Sequence, residues 1–522
     1  MMAFTGMKKT VISFLMVALM LVTGVRAQSN YQRLTNLPHV YINTFDGKDV
    51  TSKKAEVSAN LYMVDEKDSV AVYDSIAIRG RGNSTWNLEK KPYRIKFKEK
   101  TRFLGHERAN AKKWTLLANH GDKSLIRNAL ASYIGDLCGQ VFTPGARFVD
   151  LTMNGVYQGC YQISDQIEVR KKRVDIEEQG FTTSADANVT GGYLLEADGF
   201  CDFLADGNGW WTEKFVPMTI HYPDKDQLTQ RQVDYIRGYV NNFETRLFSD
   251  NYQDPEAGYR AWVDSTSLVS WYLASELTGN PDFLWSMYCY KDRDDNRLFF
   301  GPMWDYDIAF NNDKRLNDLD PVHRLMVEVG YPNTGLVNWM NRMWSDPWFQ
   351  RLVYRNYSAI YSQGLEEKII HAIDSMDVLL KASQDLNYQK WEIDKRKLGE
   401  VVIYSTYEEY IDDLRQYVSE RVETLFQTFS DRRPPGDPEY SGMGHLGMTI
   451  DYALAYNAEE KRLHFGADDL SQLSFIVSVY DSSGRRVLQF PASEGASVTS
   501  LRPGLYVVVW EDHGPHSAKF IR

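Results

Sequence analysis

The sequence predicts an α+β protein of two lobes, β-rich first and helical second, followed by a small all-β module. Three observations carry this. Before about residue 225, apolar residues alternate with period two in short runs separated by Gly, Asp and Lys turns, the signature of strands. After it, the segments 227–248, 265–277, 338–362, 366–383 and 407–429 repeat apolar residues with period 3.6, the signature of helices. Beyond the Pro- and charge-rich stretch DRRPPGDP at 431–438, the alternation returns to period two. The expected layout is a leader over 1–27, a β-rich lobe over 28–225, a helical lobe over 226–430, a linker over 431–444 and a β-sandwich over 445–522.

The 522 residues leave room for about two to four domains. A net charge of -11 argues against the whole chain binding nucleic acid. Lys8 and Lys9 precede an apolar run, 11–25, and Val25-Arg26-Ala27 fits a small-x-small cleavage site, so the start reads as a secretory signal peptide. The run is short of the ~18–20 residues of a membrane anchor, and no later stretch reaches that length. The protein is therefore expected to be exported, without a stable membrane span. Cys138, Cys160, Cys201 and Cys289 are few and irregularly spaced, and read as buried thiols rather than a disulfide framework. No CxxC or HExxH supports a zinc site.

Taken in order, 40–42 and 59–63 are short strands. IRGRGNSTW (78–86) is a strand entering a Gly-Asn-Ser-Thr turn, with Arg79 and Arg81 on one face. PYRIKF (92–97) is its partner, with Tyr93, Ile95 and Phe97 on one face and Arg94 and Lys96 on the other. From Arg79 to Arg127 there are 14 Lys and Arg against 4 Asp and Glu, a local excess of ten in an acidic protein. Such an excess suits either a solvated hairpin or a polyanion site. The turn 82–85 favours the second, because its backbone N–H groups and hydroxyls can face a phosphate. Further on, 113–117 reads as a strand and 123–137 as a helix capped by Asp122. The runs 148–153 and 156–163 form a hairpin over Asn154-Gly155, and 192–196 is another strand.

Among the helices stands NPDFLWSMYCYKDRDDNRLFFGPMWDYDIAF (280–310). Asp282 precedes one strand-like run, and a polar turn (292–296) leads to a second (297–300). The stretch closes on Asp305 and Asp307, 23 and 25 residues after Asp282. Two acidic groups separated by a β-hairpin can bring a general base and a metal-binding carboxylate to one point. Asp282 could equally be a turn residue after Asn280-Pro281, and Asp305 a capping carboxylate.

RGRGNSTW with KKPYRIKF, KKWTLLAN with DKSLIRN, GVYQGCYQISDQI, GGYLLEAD and the 280–310 stretch stand in one order, and together they resemble the spore-coat protein H (CotH) kinase family. The resemblance covers about residues 36–430. It implies an atypical bilobal protein-kinase-like fold and an exported enzyme that transfers the γ-phosphate of ATP, with Mg2+ or Mn2+, to Ser or Thr of a surface or envelope protein. It makes Asp282 the catalytic base and Asp305 the metal-binding carboxylate, assisted by Asp307. Lys96 or Arg94 would contact the α- and β-phosphates, with Asp165 the ion-pair partner of that lysine. Arg79, Arg81 and Ser84 would meet the phosphates from the turn. Phe299 and Phe300 could wall an adenine slot. Ser286-Met287 stand where protein kinases carry a second metal-binding Asn. The tail, with VYDSSGRRV, LRPGLYVVV and AKFIR, resembles the sorting domain of proteins exported by type IX secretion, which implies an export machinery as partner. A non-catalytic surface-binding protein and an ATP-dependent adenylylating enzyme are the competing readings.

Overall fold

The computed structural model describes residues 31–179, 188–198, 207–282, 286–329, 335–434 and most of 452–521. The expected signal peptide lies outside the described residues. The chain separates into two compact units, 1–438 and 439–522.

Seven strands of the first unit close into a barrel: β1 (His39–Thr44), β2 (Val57–Val64), β3 (Val70–Gly80), β4 (Tyr93–Thr101), β5 (Ala111–Leu117), β6 (Ala146–Met153) and β7 (Val156–Asp165), in the order β1-β2-β3-β4-β5-β7-β6. Neighbours pair antiparallel, and β1 closes the ring by pairing parallel with β6, His39 beside Asp150. Period two sends alternate residues inward, so Ile42, Leu61, Ile78, Ile95, Trp114 and Ile163 fill a core with no exposed surface. Each such side chain contributes about 1.5–3 kcal/mol. Closure leaves no free sheet edge. The sequence predicts a β-rich lobe but not its closure, because the β1–β6 pairing joins residues that no local pattern connects.

A second sheet runs β12-β11-β8-β10-β9, from β8 (Tyr193–Asp198), β9 (Gly209–Trp211), β10 (Pro217–Tyr222), β11 (Ser286–Lys291) and β12 (Phe299–Phe300). The acidic hairpin thus lies on β8, with Ser286 opposite Asp198 and Tyr288 opposite Glu196. Of the strand expected over 297–300, Phe299–Phe300 pairs with β11, while Leu298 forms a separate parallel bridge with Val263.

The helical part holds Gln230–Leu247, Ser265–Thr278, Leu365–Lys390 and Tyr407–Asp431, close to the expected spans. The helix expected over 338–362 is two, Gly335–Trp344 and Pro347–Tyr361. Pro347 has no N–H with which to continue the first, and Asp346 caps the second at the Trp348 N–H (3.0 Å). The helix expected from 123 begins at Arg127 instead. Asp122 accepts from the Ser124 and Arg127 N–H groups in the preceding turn (3.0 and 2.9 Å), where Leu125 takes φ 64°. A buried Glu276–Arg421 pair (2.9 Å) ties helix Ser265–Thr278 to helix Tyr407–Asp431.

The second unit is all β, with one three-stranded and one four-stranded sheet and a core that includes Leu463, Val477, Val479, Phe490, Val508 and Trp510. No helix among the described residues is long and apolar enough to cross a membrane.

Candidate active site

Helix Ser265–Thr278 places the acidic groups. It begins at Asp264, which accepts from the Ser267 N–H (2.8 Å), and ends at Gly279 in the left-handed conformation, φ 56°. A Cβ at Gly279 would lie 2.3 Å from the Tyr417 hydroxyl. The chain leaves as Asn280-Pro281-Asp282, and Asn280 Oδ1 accepts the Asp282 N–H (3.0 Å). After the hairpin, the chain returns to the same helix end. The Phe310 N–H binds the Thr278 carbonyl (2.7 Å), and the Tyr306 hydroxyl meets Ser275 Oγ (3.2 Å). The Tyr306 N–H donates to Asn128 Oδ1 (2.8 Å). Both ends of the hairpin are thus pinned to one point, which brings Asp282 into electrostatic contact with Asp305 and Asp307.

Asp305 takes φ 67°, a conformation unfavourable for a residue with a side chain and found preferentially at functional sites. Its carboxylate opens to solvent, yet surrounding protein raises its pKa; Arg81 pulls it down and Glu196 adds to the rise. Asp307 is buried, and its pKa is held well above the carboxylate range by burial first, then by Asp305, Asp122 and Asp282. Asp282 is pushed up to about 6 by burial, with Arg315 opposing and Asp305 and Asp313 adding to the rise. Among the described residues neither Asp305 nor Asp307 forms an ion pair.

Arg81 is the cation the sheet presents to this group. Its guanidinium lies 4.8 Å from the Trp304 ring centroid. Burial lowers its pKa, while Asp305, Tyr288, Asp307 and Glu196 act to raise it. Glu196, on β8, accepts from Ser286 Oγ (3.0 Å) and bonds His221 Nε2 (2.6 Å). Burial favours its neutral form, but His221, Tyr288 and Ser286 outweigh that and lower its pKa. Beside the group, a depression is lined by Leu117, Asn128, Gln162, Ser164, Trp304 and Asp305.

The structure thus joins four of the predicted residues, Asp282, Asp305, Asp307 and Arg81. It places the others elsewhere. Lys96 is exposed outside the barrel, opposite Lys113, because period two that buries Tyr93, Ile95 and Phe97 turns it outward. Arg94 shares that face and pairs with Glu56 (3.1 Å). Asp165 is not the partner of Lys96: it is buried against Arg173 Nε (2.7 Å) and accepts the Gly145 N–H (2.9 Å). Arg79 donates to the Lys53 carbonyl, and Ser84 is exposed at the start of a 3-10 turn. Phe300 packs against Trp271 in the core, and Phe299 stacks on Tyr290.

The sequence reading passed over Glu196, His221, Asp313 and Arg315. For Glu196 a signal existed, a carboxylate inside the apolar run GYLLEAD. No comparable signal marks His221 or Arg315, which reach the site through tertiary folding. At the questioned Ser286-Met287 position, Ser286 donates to Glu196 and Met287 is core.

Among the described residues no group of three or more His, Cys, Asp or Glu is arranged to hold a metal ion. Asp305 and Asp307 offer two carboxylates. That fits Mg2+, which is typically bound through one or two carboxylates, with phosphate oxygens and water completing the shell. The family profile described as CotH kinase protein matches residues 78–425. No curated protein matches the chain.

Proposed function

The chain belongs to the CotH kinase family, and on that premise we propose that it is an exported phosphotransferase that passes the γ-phosphate of ATP to a Ser or Thr hydroxyl of a surface or envelope protein. One observation carries the reading: Asp282, Asp305 and Asp307 gather at the end of one helix with Arg81 as the facing cation. Mutually repelling carboxylates are costly to gather unless a cation joins them. Asp305 and Asp307 would hold Mg2+, or Mn2+, which when bound offsets phosphate charge. Arg81, backed by Trp304, would meet the phosphates. Asp282 would accept the proton of the acceptor hydroxyl as its oxygen forms the new bond to phosphorus; the bond from phosphorus to the β,γ-bridging oxygen breaks and ADP leaves. Glu196 adds a further negative charge near Arg81.

Export rests on the signal-peptide pattern at 1–27, and the type IX route on the tail motifs. Incubation with α- or γ-labelled ATP tests the reaction. Label transferred from the γ-position alone, and lost in Asp305→Ala, is the expected result. Transfer from the α-position would indicate adenylylation, and transfer from neither a binding protein.

A further inference from the structure

Arg315 lies in the 3-10 turn Lys314–Leu319, capped by Asp313. Asp313 is buried, and both of its oxygens are committed to that one residue. Oδ1 accepts the Arg315 N–H (3.0 Å), Oδ2 accepts the Nε–H (2.6 Å), and Nη2 also bonds Oδ2. This leaves the guanidinium little freedom. Its Nη2 then donates to Asp282 Oδ1 (3.2 Å). Among the described residues, Asp282 Oδ2 accepts no hydrogen bond. One oxygen of the carboxylate is therefore held and the other is left for a donor. A planar guanidinium fixed on one side by a buried carboxylate is well suited to orient a second one.

We infer that Arg315, clamped by Asp313, is the positioning residue of Asp282, fixing Oδ1 so that Oδ2 meets the acceptor hydroxyl. The inference rests on the phosphotransfer reading of the site. Among the described residues, Asp282 faces Arg315 and the carboxylates Asp305, Asp307 and Asp313. The contact holds one oxygen of the base and aims the other.

The full chain is assayed for phosphotransfer from γ-labelled ATP to a mixture of Ser- and Thr-containing peptides between pH 5.5 and 8.5. In Arg315→Gln kcat should fall about tenfold at every pH in that range, with KM for ATP within about twofold of wild type. Arg315→Lys should restore part of the loss. The melting shift given by Mg-ATP should be unchanged in both, since Arg315 is not assigned to the nucleotide. A kcat within about twofold of wild type, or a loss that Lys does not partly rescue, would overturn the inference. A second arm needs no turnover. The melting temperatures of Arg315→Gln, Asp282→Asn and the double variant should be non-additive at pH 7, and simple additivity would also overturn it. A wild-type protein inactive with either label would defeat the phosphotransfer reading, while the melting cycle would still decide the contact.

Discussion

Two buried carboxylates of the first unit show opposite designs. Asp165, at the end of a barrel strand, has a guanidinium at 2.7 Å and a backbone N–H at 2.9 Å. Asp307, at the end of the acidic hairpin, is as well enclosed but has other carboxylates for neighbours. A buried charge is tolerable when paired, and otherwise it tends to take up a proton. Asp165 is accordingly a member of the architecture. Asp307 has no such partner among the described residues. The family resemblance makes Asp165 the ion-pair partner of a lysine and Asp307 an assistant to the metal-binding Asp305. The difference lies in what the fold brings to each.

Substitutions can break this contrast. The largest effect is expected at Arg173, whose loss strands Asp165 without its counter-charge. Arg173→Leu should cost about 3–5 kcal/mol at pH 7, measured by denaturant unfolding; a loss within the range of surface substitutions would mean the pair is dispensable. Next comes the pH dependence of Asp282. Its folded pKa, about 6, lies above that of an unfolded Asp, so the folded state binds the extra proton between about pH 4 and 6. Stability contributed by this group is therefore present at low pH and lost as pH rises through 6, by about 2–3 kcal/mol. Asp282→Asn should flatten that part of the stability–pH curve, and a curve of unchanged slope would contradict the assignment. Asp307→Asn removes a carboxyl that folding must either protonate or leave charged among carboxylates, and should raise unliganded stability by about 1 kcal/mol, whereas a marked loss would place Asp307 among the structural carboxylates. Lys96→Ala should change stability by less than about 0.5 kcal/mol and leave nucleotide binding intact; loss of the Mg-ATP melting shift would return Lys96 to the site.

How far the sequence reached follows the same division. Alternation placed the strands, and the order of motifs placed the acidic hairpin, because both depend on near neighbours. Tyr93, Ile95 and Phe97 were assigned to the core face of β4 correctly, and that assignment itself turns Lys96 outward. The family resemblance implies that Lys96 meets the phosphates, whereas the pleat puts it on the exposed face. Barrel closure and the Arg315–Asp282 contact join residues from separate elements, and no window of the chain encodes them. Helices were legible from the apolar period, as for Tyr407–Asp431, expected over 407–429. The single helix expected over 338–362 failed because Asp346-Pro347 was not read as a stop and restart.

The central claim is that Asp305 and Asp307 form a carboxylate pair that a metal–nucleotide complex completes. Its most direct test is thermal unfolding of wild type, Asp305→Ala and Asp307→Asn with Mg2+ alone, ATP alone and both. Wild type should gain most from Mg2+ and ATP together, about 2–3 kcal/mol near a hundredfold excess over the dissociation constant. Both variants should lose that gain, and Asp307→Asn should start from the higher melting temperature. A wild-type protein unmoved by saturating Mg-ATP, or variants that keep the full shift, would contradict the account.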